Sequence, residues 1–375
     1  MIVYAGNMII TLFFAWLSVY KAPVRKNVLD TEYKKPHTLL FFVCGASIIL
    51  FFAFRGNSGA DTHTYLRWFD TIHSMTFKQV LHHPEEPLFK IIYWIDYHIF
   101  FGNFVFHNIV LGTLIYMPIL YFYSRYSDNF VMALLLYMLT TTCYLPFNIQ
   151  RQFLALSICI MAYKYVLRKN YIIYLIFVLI ASEIHSTALF MFPVTILANR
   201  KTTSKLFIIS IACMTAGSLV LMNYWYELCR FLIMIGQGRI VSYYLNIIDT
   251  YQSANIFRLL VALTPIVISL IFYKRLSKDD PDFDIILNFN IIGAVCILAA
   301  RNASLIMRLW QYTMPFTPLL LMKISKLFDK RSKIIYYAAV TILFSIYMYV
   351  SFHREHALLP YDFSGGIEHF FNPRP

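Results

Sequence analysis

Ionisable side chains recur in this sequence where apolar runs end. Arginine carries a planar fork that can bind phosphate through two hydrogen bonds, and it stays charged when it is desolvated. Carboxylates and imidazoles can take a proton from a hydroxyl group that lies within hydrogen-bond reach. These residue types therefore point to chemistry on a phosphate-bearing substrate, and the candidate residues are Arg55, Asp61, Glu86, Arg151, His185, Arg301 and Arg308.

The segment from Arg55 to Tyr65 holds one cation and one carboxylate six residues apart. Its glycines and small residues favour a tight turn and a close approach of the backbone. Asp61 is a candidate general base, and pairing with Arg55 is the equally weighted alternative. The segment alone leaves both open.

Three further positions lie at the ends of apolar runs. Glu86 directly precedes Pro87, where a short apolar segment begins. A helix-capping role is the alternative to a functional role for this carboxylate. Gln152 follows Arg151 and could hold a sugar hydroxyl. His185 lies between two short runs, which predicts a position at the base of a cavity; a hydrogen bond to a backbone carbonyl is the alternative.

Arg301 and Arg308 are two helical turns apart, so both could face one anion if the segment is helical. The sequence has no HExxH and no Cys/His spacing typical of a metal site. It has no Walker A loop and no GxGxxG. We therefore expect no metal and no cofactor.

The elements that carry these residues are apolar helices. Hydrophobic residues make up 59% of the chain and charged residues 14%, against about 25% charged in soluble domains. The runs predict an all-α, polytopic integral membrane protein with about 12 transmembrane helices. Short loops hold 20 of the 32 Lys and Arg residues, so the positive-inside rule places those loops in the cytoplasm and explains the net charge without nucleic acid.

The remaining loops are then extracytoplasmic. We expect one transmembrane domain over residues 1–375, with extracytoplasmic loops 55–103 and 223–255 and an extracytoplasmic tail 351–375. Residues 87–101 are apolar but short and contain charged side chains. They predict a re-entrant or amphipathic helix on the outer side. A full crossing there would place every basic loop downstream on the opposite side of the membrane, against the positive-inside rule.

The sequence resembles the EpsG family of bacterial polysaccharide polymerases, which is related in role to the Wzy O-antigen polymerases. Five pieces in the family's order carry the resemblance, and together they cover most of the chain: Arg55-x3-Gly59-x-Asp61-Thr62-x2-Tyr65-x3-Phe69, Glu86-Pro-Leu-Phe89, Arg151-Gln152-x2-Ala155-x-Ser157, Ala181-x3-His185-Ser-x-Ala-Leu189, and Arg301 to Arg308.

The resemblance implies a multi-pass protein of the bacterial inner membrane with a GT-C-like architecture and its active site on the periplasmic side. It implies metal-independent polymerisation of undecaprenyl-pyrophosphate-linked oligosaccharide repeat units into O-antigen or exopolysaccharide. A chain-length regulator protein is a further candidate partner. We expect Asp61 to be the leading base with His185 and Glu86 as rivals. The residues expected to bind pyrophosphate or sugar are Arg55, Arg151, Gln152, Arg301, Arg308, Tyr65 and Trp68.

Two other classes stay open. A flippase or transporter of the lipid-linked glycan would also use an arginine-lined cavity, and it often shows repeated halves, which this sequence lacks. A membrane O-acyltransferase would place a histidine in a membrane cavity, but it would take its acyl donor from the cytoplasm.

Overall fold

The computed structural model describes residues 1–72, 74–82, 86–232, 234, 256–300, 306–354 and 357–372. Helices make up 77% of it and strands 2%, which confirms the all-α prediction. Glu85, Arg301 and the larger part of the predicted loop 223–255 lie outside the described residues.

The first part of the chain forms ten helices and one hairpin within the described residues: α1 (Ile2–Val19), β1 (Val24–Lys26), β2 (Glu32–Lys34), α2 (Thr38–Ala53), α3 (Thr62–Ile72), α4 (Phe77–Leu81), α5 (Pro87–Ile99), α6 (Phe104–Tyr126), α7 (Phe130–Leu139), α8 (Gln150–Met161), α9 (Tyr163–Leu167) and α10 (Tyr171–Ser182). The later helices are α11 (Met191–Ala198), α12 (Lys205–Leu232), α13 (Ile256–Ile271), α14 (Tyr273–Leu276), α15 (Phe283–Ala299), α16 (Met307–Gln311), α17 (Phe316–Ile324), α18 (Lys330–Arg354) and α19 (Phe363–Phe371). Short 3₁₀ helices cover Thr142–Phe147, Ser186–Phe190 and Ser325–Leu327.

Three of the described helices are long and apolar enough to cross a bilayer: α1, α6 and residues Lys330–His353 of α18. Shorter apolar helices of 10–17 residues accompany them, such as α2, α7, α10 and α15. The predicted apolar runs are therefore helical, whereas a count of about 12 crossings and a GT-C-like architecture stay predictions.

Several predicted runs are interrupted rather than continuous. Residues 130–146 are one apolar run in the sequence. In the structure α7 ends at Leu139, and the 3₁₀ helix Thr142–Phe147, which contains Pro146, follows. Thr141 between them has a positive φ of 64°. Proline lacks an N–H and collides with the preceding turn of an α-helix. The α-helix therefore ends here, although the apolar run continues in the sequence.

The described chain divides into two compact units. The first unit comprises residues 1–189 and 328–375, and the second comprises residues 190–327. The single transmembrane domain expected over residues 1–375 stays a prediction.

In the first unit, polar side chains join helices that pack closely. Asn7 of α1 donates to the Ser47 carbonyl of α2 at 2.9 Å, and the Thr11 and Ser47 hydroxyls are 2.7 Å apart. Ser157 of α8 donates to the Ile115 carbonyl of α6 at 2.7 Å. Hydrogen bonds and small residues supply helix association where apolar burial gains little, as in lipid.

The segment 357–372, here called the tail segment, lies against the loop that follows α2. The Gly59 N–H donates to the Ala357 carbonyl at 3.0 Å, and the Asn57 N–H donates to the Asp362 carboxylate at 2.9 Å. The Asn103 side chain donates to the Phe370 carbonyl at 2.8 Å. The predicted outer loop 55–103 and the tail therefore share one face of the first unit.

A two-stranded hairpin occupies the basic loop after α1, and no sequence pattern predicted it. Arg25 pairs with Tyr33 in its antiparallel register. The Asn27 side chain accepts hydrogen bonds from the N–H groups of Leu29 and Thr31, which stabilises the turn. Strands of three residues are too short to show an alternating pattern.

In the second unit, α15 packs against α11, α12, α13, α16 and α17. The Asn288 side chain donates to the Ala198 and Arg200 carbonyls at 3.0 and 2.7 Å. At the start of α15, the buried Lys323 ammonium pairs with both Asp280 and Asp282. A buried cation of this kind is tolerated because it is paired.

Candidate active site

The hydroxyl of Tyr65 joins α3 to the start of α8. It donates to the Asn148 carbonyl at 3.0 Å and accepts the Gln150 N–H at 3.1 Å. The first N–H groups of a helix have no partner within the helix, so Tyr65 supplies one for α8. This contact also brings Trp68, one turn further along α3, to the same junction.

Gly59 permits this close approach of the loop before α3. Its φ is +108°, a region that residues with a Cβ rarely adopt. An added Cβ would lie 2.8 Å from the Asn148 side-chain oxygen and 2.9 Å from the Phe147 carbonyl. A side chain at this position would push the loop away from the start of α8.

Glu86 connects two residues that are distant in sequence. Its Oε1 lies 2.6 Å from His185 Nδ1, and its Oε2 accepts a short hydrogen bond from Arg151 Nη1. Glu86 is the N-cap residue of α5, but its side chain makes no capping hydrogen bond. Capping therefore does not account for this carboxylate.

The backbone of Glu86 is itself unusual. Its φ of 50° and ψ of 57° lie in the left-handed region, directly before Pro87. Non-glycine residues seldom adopt this conformation, and such outliers cluster at functional sites. The strained conformation aims the carboxylate at His185 and Arg151.

His185 follows α10 and is buried, with 6% of its surface exposed. Its Nδ1 faces a carboxylate that, when ionised, only accepts, so Nδ1 carries the hydrogen. In the neutral ring Nε2 then holds a lone pair, and it has no hydrogen-bond partner among the described residues. The alternative of a hydrogen bond to a backbone carbonyl is wrong, because Nδ1 binds Glu86 instead.

The charge state of Glu86 follows from its neighbours. Burial raises the pKa of Glu86, but the hydrogen bond from His185 and the charge of Arg151 outweigh it, so the pKa lies below its ordinary value. Glu86 is therefore a carboxylate at neutral pH. It can orient His185 and stabilise a protonated imidazole, but it is a weak proton acceptor.

Arg151 lies in the first turn of α8 with its side chain 27% exposed. Its guanidinium lies 4.6 Å from the centre of the Trp68 ring. One edge of the fork faces Glu86, and the Trp68 ring contributes a cation–π contact. Gln152, the next residue, is buried at 2% exposure.

Arg55 is fully buried. Its Nη1 donates to the Phe52 carbonyl at 2.8 Å, and its guanidinium lies 4.1 Å from the centre of the Phe52 ring. The side chain turns back towards α2, so the alternative of an Arg55–Asp61 ion pair is wrong. Burial lowers the pKa of Arg55 to about 10, which leaves it charged at neutral pH.

Asp61 is half-buried one turn before Tyr65, and its carbonyl accepts the N–H groups of Thr64 and Tyr65. Its role as a base stays a prediction. Arg308 is half-buried on α16 of the second unit, whereas Arg301 lies outside the described residues. Their placement on one helix face stays a prediction.

The sequence analysis did not predict two further contacts of α5. The Tyr93 hydroxyl of α5 donates to the Gln150 side chain at 3.1 Å. Asp96 of α5 and His107 of α6 form a buried pair at 2.7 Å. The spacing of Phe89, Tyr93 and Tyr97 by four residues is the signal that could have marked the buried face of α5.

Comparison with known proteins gives one match. The EpsG family model matches residues 38–363, a span that contains Glu86, Arg151, His185 and every other residue of this cluster. No curated protein and no solved structure matches the chain. The apolar helices and the family match together identify a membrane protein, and the chain belongs to the EpsG family.

Proposed function

We propose that this protein polymerises undecaprenyl-pyrophosphate-linked oligosaccharide repeat units into O-antigen or exopolysaccharide at the periplasmic face of the bacterial inner membrane. Membership of the EpsG family supports a polymerase-like role in polysaccharide synthesis. The observation that carries the reaction type is the Glu86–His185 contact at 2.6 Å, which leaves Nε2 of a buried histidine without a partner.

His185 is the general base of this proposal. A hydroxyl of the acceptor sugar gives its proton to Nε2 as the oxygen forms a bond to the anomeric carbon of the donor. The bond from that carbon to the pyrophosphate oxygen breaks, and its electron pair leaves with the undecaprenyl pyrophosphate. Glu86 holds the imidazole through Nδ1 and stabilises the imidazolium that forms.

Arg151 acts on the departing group. The charge that grows on the pyrophosphate needs fixed positive partners, and a guanidinium held against Trp68 requires little reorganisation. Tyr65 and Trp68 offer aromatic faces to sugar rings in this proposal, and Gln152 serves a sugar hydroxyl. Arg55, Arg301 and Arg308 are proposed as further cations for the pyrophosphate.

Deletion of the gene in the native host, followed by rescue, tests the proposal. Surface polysaccharide is separated on a gel, and the lipid-linked material is extracted. The deletion should leave lipid that carries a single repeat unit, and wild type should restore the ladder. His185→Ala should slow polymer formation by about 10²- to 10⁴-fold, the usual contribution of a general base. Arg151→Ala should also lose the ladder.

His98→Ala is the matched control, because His98 is an exposed histidine on α5 outside the cluster. Asp61→Ala separates the two candidate bases: a normal ladder supports His185, whereas a lost ladder beside a normal His185→Ala ladder would reverse the assignment. Loss of the single-repeat product in the deletion would favour the flippase. A full-length ladder without acyl groups would favour the O-acyltransferase.

A further inference from the structure

A pocket of about 200 Å³ lies in the first unit, where α6 and the α8–α9 pair end. It lies away from Glu86, His185 and Arg151, none of which lines it. Its lining residues come from the hairpin turn and from these helix ends: Val28, Tyr121, Phe122, Arg125, Tyr126, Ile160, Met161, Lys164 and Arg168.

Three cations converge on this pocket, and no lining residue is acidic. In the part of the chain that the structure describes, Arg125, Lys164 and Arg168 make no ion pair with a carboxylate. The positive-inside rule explains cations on this face. It does not explain why three of them line one concave site without a counter-charge.

Aromatic groups hold the most enclosed cation in place. The half-buried Arg125 donates to the Tyr121 hydroxyl, and its guanidinium lies 5.6 Å from the centre of the Tyr33 ring. Asn27 of the hairpin turn donates to the Arg125 carbonyl at 3.3 Å. The hairpin therefore fixes the helix end that carries the cation.

Exposed apolar side chains continue from these cations towards the middle of the helices. Tyr121, 49% exposed, precedes Arg125 by one turn of α6. Leu114 lies further towards the start of α6 on the same face as Tyr121. Met161, 55% exposed, precedes Lys164 by about one turn along the α8–α9 pair. A ligand with an anionic head and an apolar chain matches this order of side chains.

We propose that this pocket binds the phosphate of an anionic phospholipid, with an acyl chain lying along Tyr121 and Met161. The lipid belongs to the leaflet that these helix ends face, which the basic loops predict to be the cytoplasmic one. Basic pockets between helices on that side of a membrane hold anionic head groups in this way. Free inorganic phosphate shares the head-group chemistry but lacks the chain.

Lipid retention by the purified full-length protein tests this site. Wild type and Lys164→Gln/Arg168→Gln are titrated in detergent with phosphatidylglycerol or phosphatidylcholine, and bound lipid is counted by native mass spectrometry. Both substituted residues are exposed, so the variant should fold. Its apparent affinity for phosphatidylglycerol should fall by roughly 10- to 30-fold, and phosphatidylcholine should bind weakly to both proteins.

Arg25→Gln/Lys26→Gln is the matched control, because it removes two exposed cations of the hairpin that do not line the pocket. It should retain phosphatidylglycerol as wild type does. Equal loss in both variants would overturn the site in favour of general charge attraction. Equal retention in wild type and Lys164→Gln/Arg168→Gln would also overturn it. Displacement of the lipid by millimolar inorganic phosphate would overturn the lipid assignment.

Discussion

The Glu86 carboxylate uses one oxygen for His185 and the other for Arg151. A histidine that accepts a proton becomes an imidazolium next to this carboxylate, so part of the cost of charging a buried ring is offset. Arg151 forms an ion pair with the same carboxylate. The balance between the two contacts therefore sets both the orientation of the base and the charge left on Arg151 for an anionic ligand.

Glu86→Gln should reveal this ionisation through pH. The pKa of Glu86 lies below its ordinary 4.5 in the folded protein, so the stability that the carboxylate contributes is fully present above pH 4.5. It is lost as the pH falls through the lower folded value. The difference in melting temperature between wild type and Glu86→Gln in detergent should be present at pH 5 and should shrink below pH 4.5. A difference that vanishes between pH 6 and 5 contradicts this.

Trp68 should matter through its ring face. Trp68→Leu removes the surface on which Arg151 lies, a contact worth roughly 0.5–2 kcal/mol, so polymer yield should fall about 2- to 30-fold. Trp68→Phe keeps an aromatic face and should lose less. Trp16→Leu, at an exposed position on α1, is the control. Equal yields from Trp68→Leu and Trp68→Phe would show that the cation–π contact contributes nothing.

Residue types were the predictable part of this site. Arginine, carboxylate and imidazole at the ends of apolar runs singled out Glu86, Arg151 and His185 before any geometry was known. The contact between Glu86 and His185 was not predictable, because the two residues are 99 positions apart and nothing local encodes it. Asp61 was ranked first as the base with His185 and Glu86 as rivals, and that ranking stays a prediction.

At the scale of elements, hydrophobic runs located the helices well and their interruptions poorly. The apolar runs 1–20, 38–54 and 171–184 of the sequence became α1, α2 and α10, whose ends lie within two residues of the ends of the runs. The break after Leu139 follows from Pro146, and hydrophobic periodicity does not register that signal. The tail segment was expected only as an outer tail, yet it forms α19 and binds the loop before α3.

Asp362→Ala should loosen this attachment. The carboxylate caps α19 through the Gly365 N–H and also accepts the Asn57 N–H, and loss of a helix cap costs about 1 kcal/mol. Hydrogen exchange of the Asn57 and Gly59 amides should become several-fold faster. Asp329→Ala removes the cap of α18 instead and should leave these two amides unchanged. Unaltered exchange in Asp362→Ala would mean that the tail segment does not hold the loop.

At the scale of the whole molecule, loop charge predicts an orientation and the helices provide the candidates for crossing. Three described helices reach the length of a full span. The others are shorter, and composition does not say which of them cross in pairs, which stop within the bilayer and which lie beside it. Hydropathy also did not predict the division into two compact units, since apolar helices occur in both of them.

Cysteine labelling should give the orientation of the first unit. In a background without the six native cysteines, a membrane-impermeant maleimide added to intact spheroplasts should label Asn57→Cys and not Lys26→Cys, both exposed positions. Both should react after the membrane is opened. The reverse pattern in intact spheroplasts would place the candidate active site in the cytoplasm and remove the periplasmic polymerase from consideration.

The tail segment has a consequence for biosynthesis. Tyr361 stacks on Phe51 at 4.4 Å, and Asp362 binds Asn57 across 305 positions of sequence, so the two contacts lie on either side of Arg55. At a synthesis rate of about 5–20 residues per second, translation of the residues between Asn57 and Asp362 takes roughly 15 to 60 s. During this interval the nascent loop is already outside the ribosome without its covering segment. The environment of Arg55 is thus completed only after Tyr361 and Asp362 have been made, and shorter nascent chains lack it.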